Sequence, residues 1–259
     1  MDLAFFSFVT LSNASAADHR TYNQWHQLDH RPENLALPGV AWGDRWSRPE
    51  EYKSVSTGTD ATHARTDYVA MYWFRSPIEE SVGAWDRLGE DSFQWGRGPL
   101  LPGVHRNLLG FFRPVKGYAA ASALVGPDVL PFRPNRGLHV TLTRHQDHHG
   151  AATHARHTWE DRRLIPALLD LDGVAGAWTF SFSHHQQHST LPMTDGGEHA
   201  PGSLRLRLVY LDGEPLETTE RIHAAEQALA DAGDGDPSGT GTDVLLATPV
   251  RTIIPWQDW

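Results

Sequence analysis

Two stretches of this 259-residue chain decide how it is read. Trp25–Trp42 runs WHQLDHRPENLALPGVAW, and Trp159–Trp178 runs WEDRRLIPALLDLDGVAGAW. Trp25 and Trp159 stand 134 positions apart, as do Pro32 and Pro166, Leu35 and Leu169, and Leu37 and Leu171. Gly39-Val40-Ala41 over Gly173-Val174-Ala175 keeps the same spacing. Self-similarity at one fixed offset is the mark of an internal duplication. The same shift lays the N-terminal LAFFSFVTL over GLHVTLTRH, placing Phe6 and Phe8 on Val140 and Leu142. Further on the offset becomes 138, where Arg113 faces Arg251.

Working outward, each half reads as strand, helix, strand, strand, helix, strand. In the first half, Ala4–Leu11 is a phenylalanine-rich strand. A helix N-capped by Asp18 follows and runs to about His30, where Pro32 pushes Arg31 toward extended geometry and ends it. GVAWGDRW and DYVAMYWFR are strands rich in aromatic and β-branched residues. Ser76-Pro77-Ile78-Glu79 has the form of a capping box, opening a helix with an apolar stripe at Ile78, Val82 and Trp85. HRNLLGFFRPV closes the unit. The second half repeats the order with LHVTLTR, a helix from Thr158, GAWTFSFS, SLRLRLVYL, a helix near Thr219–Asp231 and DVLLATPVRTII. Glu51–Thr66, His185–Gly202 and Ala232–Thr242 read as mobile polar loops.

Such a βαββαβ unit is ferredoxin-like: helices cover one sheet face and the other must be buried. The expected fold class is therefore α+β, with two tandem ferredoxin-like βαββαβ repeats forming an intrachain pseudo-dimeric α+β barrel. Residues 1–116 make the first repeat, 117–136 a linker and 137–259 the second.

Composition narrows the function classes. A formal charge of −10 with no Lys/Arg run argues against a nucleic acid or anionic membrane as partner. The absence of cysteine removes disulfides, thiolate nucleophiles and Cys-based metal sites, and fits a cytoplasmic location. LAFFSFVTL before SNASA has the look of a signal peptide, but Asp2 replaces the basic n-region and the duplication makes the segment a strand. No P-loop, G-x-G-x-x-G, G-x-S-x-G or H-E-x-x-H string occurs. Histidines cluster in RHQDHHGAATHARH and SHHQQHST, both read as loops with no helical H-x-x-x-H and third ligand, so no metal site is assigned.

The candidate site lies on the first helix. At about 100° per residue with His19 at 0°, His26 and His30 fall at about −20° and +20°, bordering an apolar arc that holds Tyr22, Trp25 and Leu28. The last helical turn is expected to favour a cationic His30 and raise its pKa toward neutrality. The duplication adds a contrast: Trp25 and Pro32 recur, whereas His26 becomes Glu160 and His30 becomes Leu164. Residues that differ between copies are free to serve one site. His19 is expected at the surface, and Asp29 in a supporting role. Trp42, Trp46, Tyr72, Trp73 and Trp95 give the first half a high ring density, some of which should wall a pocket. Arg45 and His105-Arg106 are candidates to meet a ligand oxyanion.

Tyr22-x2-Trp25-x4-His30-x-Pro32 after a first strand resembles the EthD-like branch of the dimeric α+β barrel superfamily, in which an aromatic-rich helix ends in His-x-Pro. Single-repeat members form homodimers, so the resemblance implies such a dimer fused into one chain, monomeric or further paired. It implies a small-molecule enzyme without a cofactor, a lyase, isomerase or monooxygenase, with His30 as catalytic acid/base on a carbonyl- or phenol-bearing apolar substrate. Tyr22, Trp25, His26, Trp42 and Trp46 are the expected substrate-binding residues. The alternatives are a non-catalytic binding or sensing protein for an apolar or aromatic ligand, and a haem-handling protein.

Overall fold

In the computed structural model, residues 1–98, 101, 103–186 and 198–259 are described. Eight antiparallel strands close into one barrel. They are β1 (Leu3–Leu11), β2 (Val40–Ser47), β3 (Tyr68–Phe74), β4 (Val104–Ala119), β5 (Gly137–His145), β6 (Val174–His185), β7 (Leu204–Leu211) and β8 (Thr242–Thr252). Around the barrel they follow the order β1-β3-β2-β8-β5-β7-β6-β4. The halves β4-β1-β3-β2 and β8-β5-β7-β6 are thus the same four-strand sheet twice, as the duplication requires. β4 runs on to Ala119, into the segment expected to be linker.

The two sheets meet along unequal seams. β4 pairs with β6 from Gly110↔His185 to Ala119↔Gly176, whereas β2 meets β8 at Trp46↔Thr252 and Ser47↔Arg251. The stretch expected to be a mobile loop after β2 completes the shorter seam. It carries the short helix α3 (Glu50–Ser54), and Thr57 exchanges both backbone hydrogen bonds with Ala247 at 2.7 and 2.8 Å. Buried Arg48 donates from Nε to Thr248 Oγ1 at 2.7 Å and from Nη1 to the Ala64 and Thr66 carbonyls.

Strand alternation sends one set of side chains into the barrel and the other under the helices. The interior is filled by Phe6, Phe8, Trp46, Met71, Trp73 and Phe112 from the first sheet and Val140, Leu142, Phe180, Leu206 and Leu208 from the second, which form one apolar cluster. Rings interlock across the sheets, with Phe6 to Phe180 at 5.0 Å and Trp73 to Phe180 at 5.2 Å. Burying each such side chain is worth about 1.5–3 kcal/mol.

The helices lie outside. The first, α1 (Ala16–Trp25), is capped not by Asp18 but by Ser15: the Ser15 hydroxyl accepts from the Asp18 N–H, and the Asp18 carboxylate accepts from the Ser15 N–H. Pro32 does not end the helix. A π-helical turn at His26–His30 leads into α2 (Arg31–Leu35), with the Arg31 N–H bonded back to the His26 carbonyl. The wider turn relieves the clash a proline ring makes with the carbonyl four residues back. The second repeat does the same, with α5 (Ala151–Trp159), a π turn at Glu160–Leu164 and α6 (Ile165–Leu169) around Pro166. This helix starts well before Thr158, so His154 and His157 of the first histidine tract are helical rather than in a loop. In the second tract His184 and His185 belong to β6, and His188 lies outside the described residues.

The remaining long helices are α4 (Ile78–Gln94) and α7 (Pro215–Asp231). The capping box expected at α4 does not form: Pro77 takes the N-cap position, while Ser76 donates to Asp2. Among the described residues no helix is long and apolar enough to cross a membrane.

Candidate functional site

A cavity of about 430 Å³ lies between the outer face of the first sheet and the helices above it. Its floor comes from alternate residues of the strands: Phe5, Ser7 and Val9 of β1, Arg45 of β2, Tyr68, Ala70 and Tyr72 of β3, and Arg106 and Leu109 of β4. Tyr22, Trp25, His26, His30 and Asn34 line it from the first helix, and Trp85, Asp86, Ser92 and Phe93 from α4. The hollow is therefore under the helices, outside the barrel, and not between the two sheets.

His30 is half-buried on this wall. Its imidazole stacks on Trp25 at 4.7 Å and 28°, and stands edge-on to His26 at 5.1 Å and Tyr72 at 6.3 Å. Its pKa is not raised but pushed down to about 4. Burial is the main cause; Asp29 opposes it, and the cations Arg106, Arg45 and Arg97 add to it. The expected helix-end effect is missing because the chain stays helical past His30, so no free carbonyl end faces the ring. His30 is neutral at physiological pH. Asn34 Nδ2 donates to the His30 carbonyl at 2.5 Å and lies 3.3 Å from His30 Nδ1. An amide nitrogen only donates, so Nδ1 accepts and the neutral ring carries its proton on Nε2.

His26 is buried beside it, with burial and then Arg45 holding its pKa well below the ordinary value, and its Nδ1 has no hydrogen-bond partner. Arg45 is 1% exposed. Its guanidinium lies 3.8 Å from the Tyr68 ring centroid and 4.5 Å from that of Tyr22, and Nη1 donates to Asn23 Oδ1 at 2.8 Å. Arg97, on the cavity wall, is held by Asp29 and Glu33. Gln186, at the end of β6, reaches in from the second repeat and donates to Asp86 Oδ1 at 3.2 Å. Tyr72 packs so closely over Gly43 that a Cβ there would stand 2.3 Å from its ring.

Of the residues expected to bind substrate, Tyr22, Trp25 and His26 line the cavity with His30. Trp42 and Trp46 do not. Four apart on β2, they share the face opposite Arg45 and belong to the barrel interior, where Trp46 donates to Asn135 Oδ1 and Trp42 packs on Phe132. His19 is not free at the surface, since its Nδ1 lies 2.8 Å from the Tyr68 hydroxyl. Arg106 lines the cavity, while neighbouring His105 is exposed. The sequence reading missed Phe5, Tyr68, Trp85, Asn34 and Asp86. Alternation along β3 marks Tyr68 together with Tyr72, and Asn34 shares the His30 face one turn on. Gln186 carries no such signal.

Among the described residues no three His, Asp or Glu side chains stand close enough to hold a metal ion. Haem iron takes an imidazole nitrogen with a free lone pair. Asn34 engages Nδ1 of His30, so axial ligation through Nε2 would require the ring proton to move to Nδ1 and that contact to break.

No family model matches the chain, and no curated protein does. Solved structures do. A putative chlorite dismutase superposes with a TM-score of 0.53 at 10% identity, over 98% of this chain and 95% of that one. A DypB variant in complex with manganese gives 0.53 at 9% identity, over 97% and 93%. A dye-decolorizing protein from V. cholerae gives 0.50 at 8% identity, over 96% and 93%. At such identities the likeness is one of fold, and that fold, across nearly the whole chain, is the dimeric α+β barrel built here from two ferredoxin-like repeats in a single polypeptide.

Proposed function

We propose that the chain is a small-molecule enzyme of the EthD-like type, and that the cavity under the first helix pair is its active site. The observation that carries this reading is a neutral imidazole, His30, stacked on Trp25 in the wall of a cavity that also presents the rings of Phe5, Tyr22, Tyr68, Tyr72, Trp85 and Phe93. A flat substrate bearing a carbonyl or phenolic oxygen suits those walls. With its proton on Nε2, His30 donates a hydrogen bond to the substrate oxygen and stabilises negative charge that develops there. It performs the acid half of the role expected for it, as neutral imidazole rather than imidazolium. Asp86 is the one carboxylate among the described lining residues and is the group available to accept a proton. Isomerisation, dehydration and cofactor-free oxygenation all pass through an enolate or phenolate of this kind.

The test is a substrate screen comparing wild type with His30→Ala. Turnover of accepted substrates should fall roughly 10²–10⁴-fold. Equal turnover of every one would remove His30 from the chemistry. In wild type, His30 stays neutral from neutral pH down to about 5, so it should contribute no change in kcat/KM over that range. Ligand binding with no turnover of any compound would leave a binding protein in its place.

A further inference from the structure

Arg45 is a fully buried cation with no carboxylate partner among the described residues. Nη1 bonds to Asn23, but Nη2 has no hydrogen-bond partner, and the residue lines the cavity. Among the described residues no carboxylate lies within 4 Å of it to form an ion pair. Asp86 shares the cavity wall, but its Oδ1 is taken by Gln186. The rings of Tyr22 and Tyr68 give Arg45 cation–π contact and the Tyr68 hydroxyl lies near enough to favour its charge, which offsets part of the burial cost, but neither residue is an anion.

The second repeat shows what a buried arginine at this level ordinarily receives. Strand register pairs Arg45 with Ala70 in the first sheet and Thr179 with Arg207 in the second. The arginine and its small neighbour have exchanged strands across an equivalent pair of positions. Arg207 is 3.7 Å from Glu160 and 2.9 Å from Glu226, and Arg205 is 2.8 Å from Glu160. Glu160 occupies the position that His26 holds in the first repeat, and His26 is neutral. The first copy thus keeps the buried cation and lacks the carboxylate.

We infer that the ligand of this cavity carries a carboxylate, and that this group pairs with the guanidinium of Arg45 as the counter-ion that Glu160 provides internally in the second repeat. The inference rests on the cavity being the substrate site and narrows its substrate to aromatic or apolar acids. Half-buried Arg106, on the same wall, adds to the positive potential. A carboxylate bound there would also offset the cations that depress His30, so the ring becomes more basic when substrate is present.

The experiment is isothermal calorimetry at pH 7.5 with matched pairs, benzoate against benzamide and 2-naphthoate against 2-naphthamide. The proteins are wild type, Arg45→Met and His26→Glu. With wild type each acid should bind roughly ten- to hundred-fold more tightly than its amide, the worth of a charge-assisted hydrogen bond. The preference should vanish in Arg45→Met. It should vanish equally in His26→Glu, which places an internal carboxylate beside Arg45 and keeps the guanidinium. Equal affinity of acid and amide for wild type overturns the carboxylate inference and leaves the cavity as the ligand site. Binding of the probes that persists in Ala70→Arg, which fills the floor of the cavity, places them elsewhere and overturns both readings.

Discussion

The two repeats share a backbone plan and differ in what lies under their helices. Phe5 packs on Trp85 at 4.8 Å in the first, where the second has His139 facing His223 at 6.0 Å. Tyr68 and Ala70 become Arg205 and Arg207 by strand register, and Tyr22 and His26 become Arg156 and Glu160. The second repeat therefore fills its space with ions, Arg205 and Arg207 on Glu160, Arg207 also on Glu226, and Arg156 on Asp236. Burial pushes the Glu160 carboxyl up, but Arg205 and Arg207 outweigh it and hold it below the ordinary range. The first repeat sets large rings around its space instead, and rings of fixed shape leave a hollow. One copy fills this space with charge and the other keeps a hollow there.

This contrast can be strained from either side. The largest effect should come from Glu160→Ala, which strands Arg205 under the second helix pair and leaves Arg207 with Glu226 alone. Removing one partner of a buried pair costs about 3–5 kcal/mol, read as a lowered denaturation midpoint. A cost near zero would mean the ion network is not what supports that repeat.

Acid comes next and acts on both copies. The pKa values of His30, His145 and His157 are depressed to about 4, in each case mainly by burial. The unfolded chain therefore binds protons first, so stability is full above about 6.5 and is lost as the pH falls toward about 4. The loss is about 1.4 kcal/mol for each unit of depression. In a pH series of denaturant melts, His30→Leu, the residue found at Leu164, should flatten part of this fall. An unchanged slope would show that the ring is already solvated.

Smaller again is Gly43→Ala. The new Cβ would displace the Tyr72 ring and its edge contact with His30, at about 1–3 kcal/mol, with weaker ligand binding measured by calorimetry. Smallest should be Arg45→Met, which removes a cation that has no internal counter-ion. Stability should change by less than about 1 kcal/mol, or rise, in thermal melts without ligand. A loss as large as that of Glu160→Ala would show that Arg45 is paired after all and would erase the difference between the repeats.

Periodicity and the 134-residue offset sufficed to place the eight strands to within a few residues, because alternation of apolar side chains is a local property of a strand. The same offset marked His26 and His30 as the positions where one copy departs from the other. Local rules failed where geometry depends on the next turn of chain. Pro32 reads as a helix end, yet a π turn carries the helix through it; the helix-end effect expected to raise the pKa of His30 is lost, and burial lowers it instead. Ser15 rather than Asp18 caps α1, although both take part in the same box.

What the sequence by itself determined was the duplicated unit, its order of elements and the identity of the divergent residues, since each follows from spacing along the chain. Only the tertiary structure decided which face of β2 looks at the helices, and so that Arg45 rather than Trp42 or Trp46 enters the cavity. It also decided that Gln186 of one repeat closes the site of the other. Both depend on strand register and barrel closure, which are fixed by contacts between residues remote in sequence.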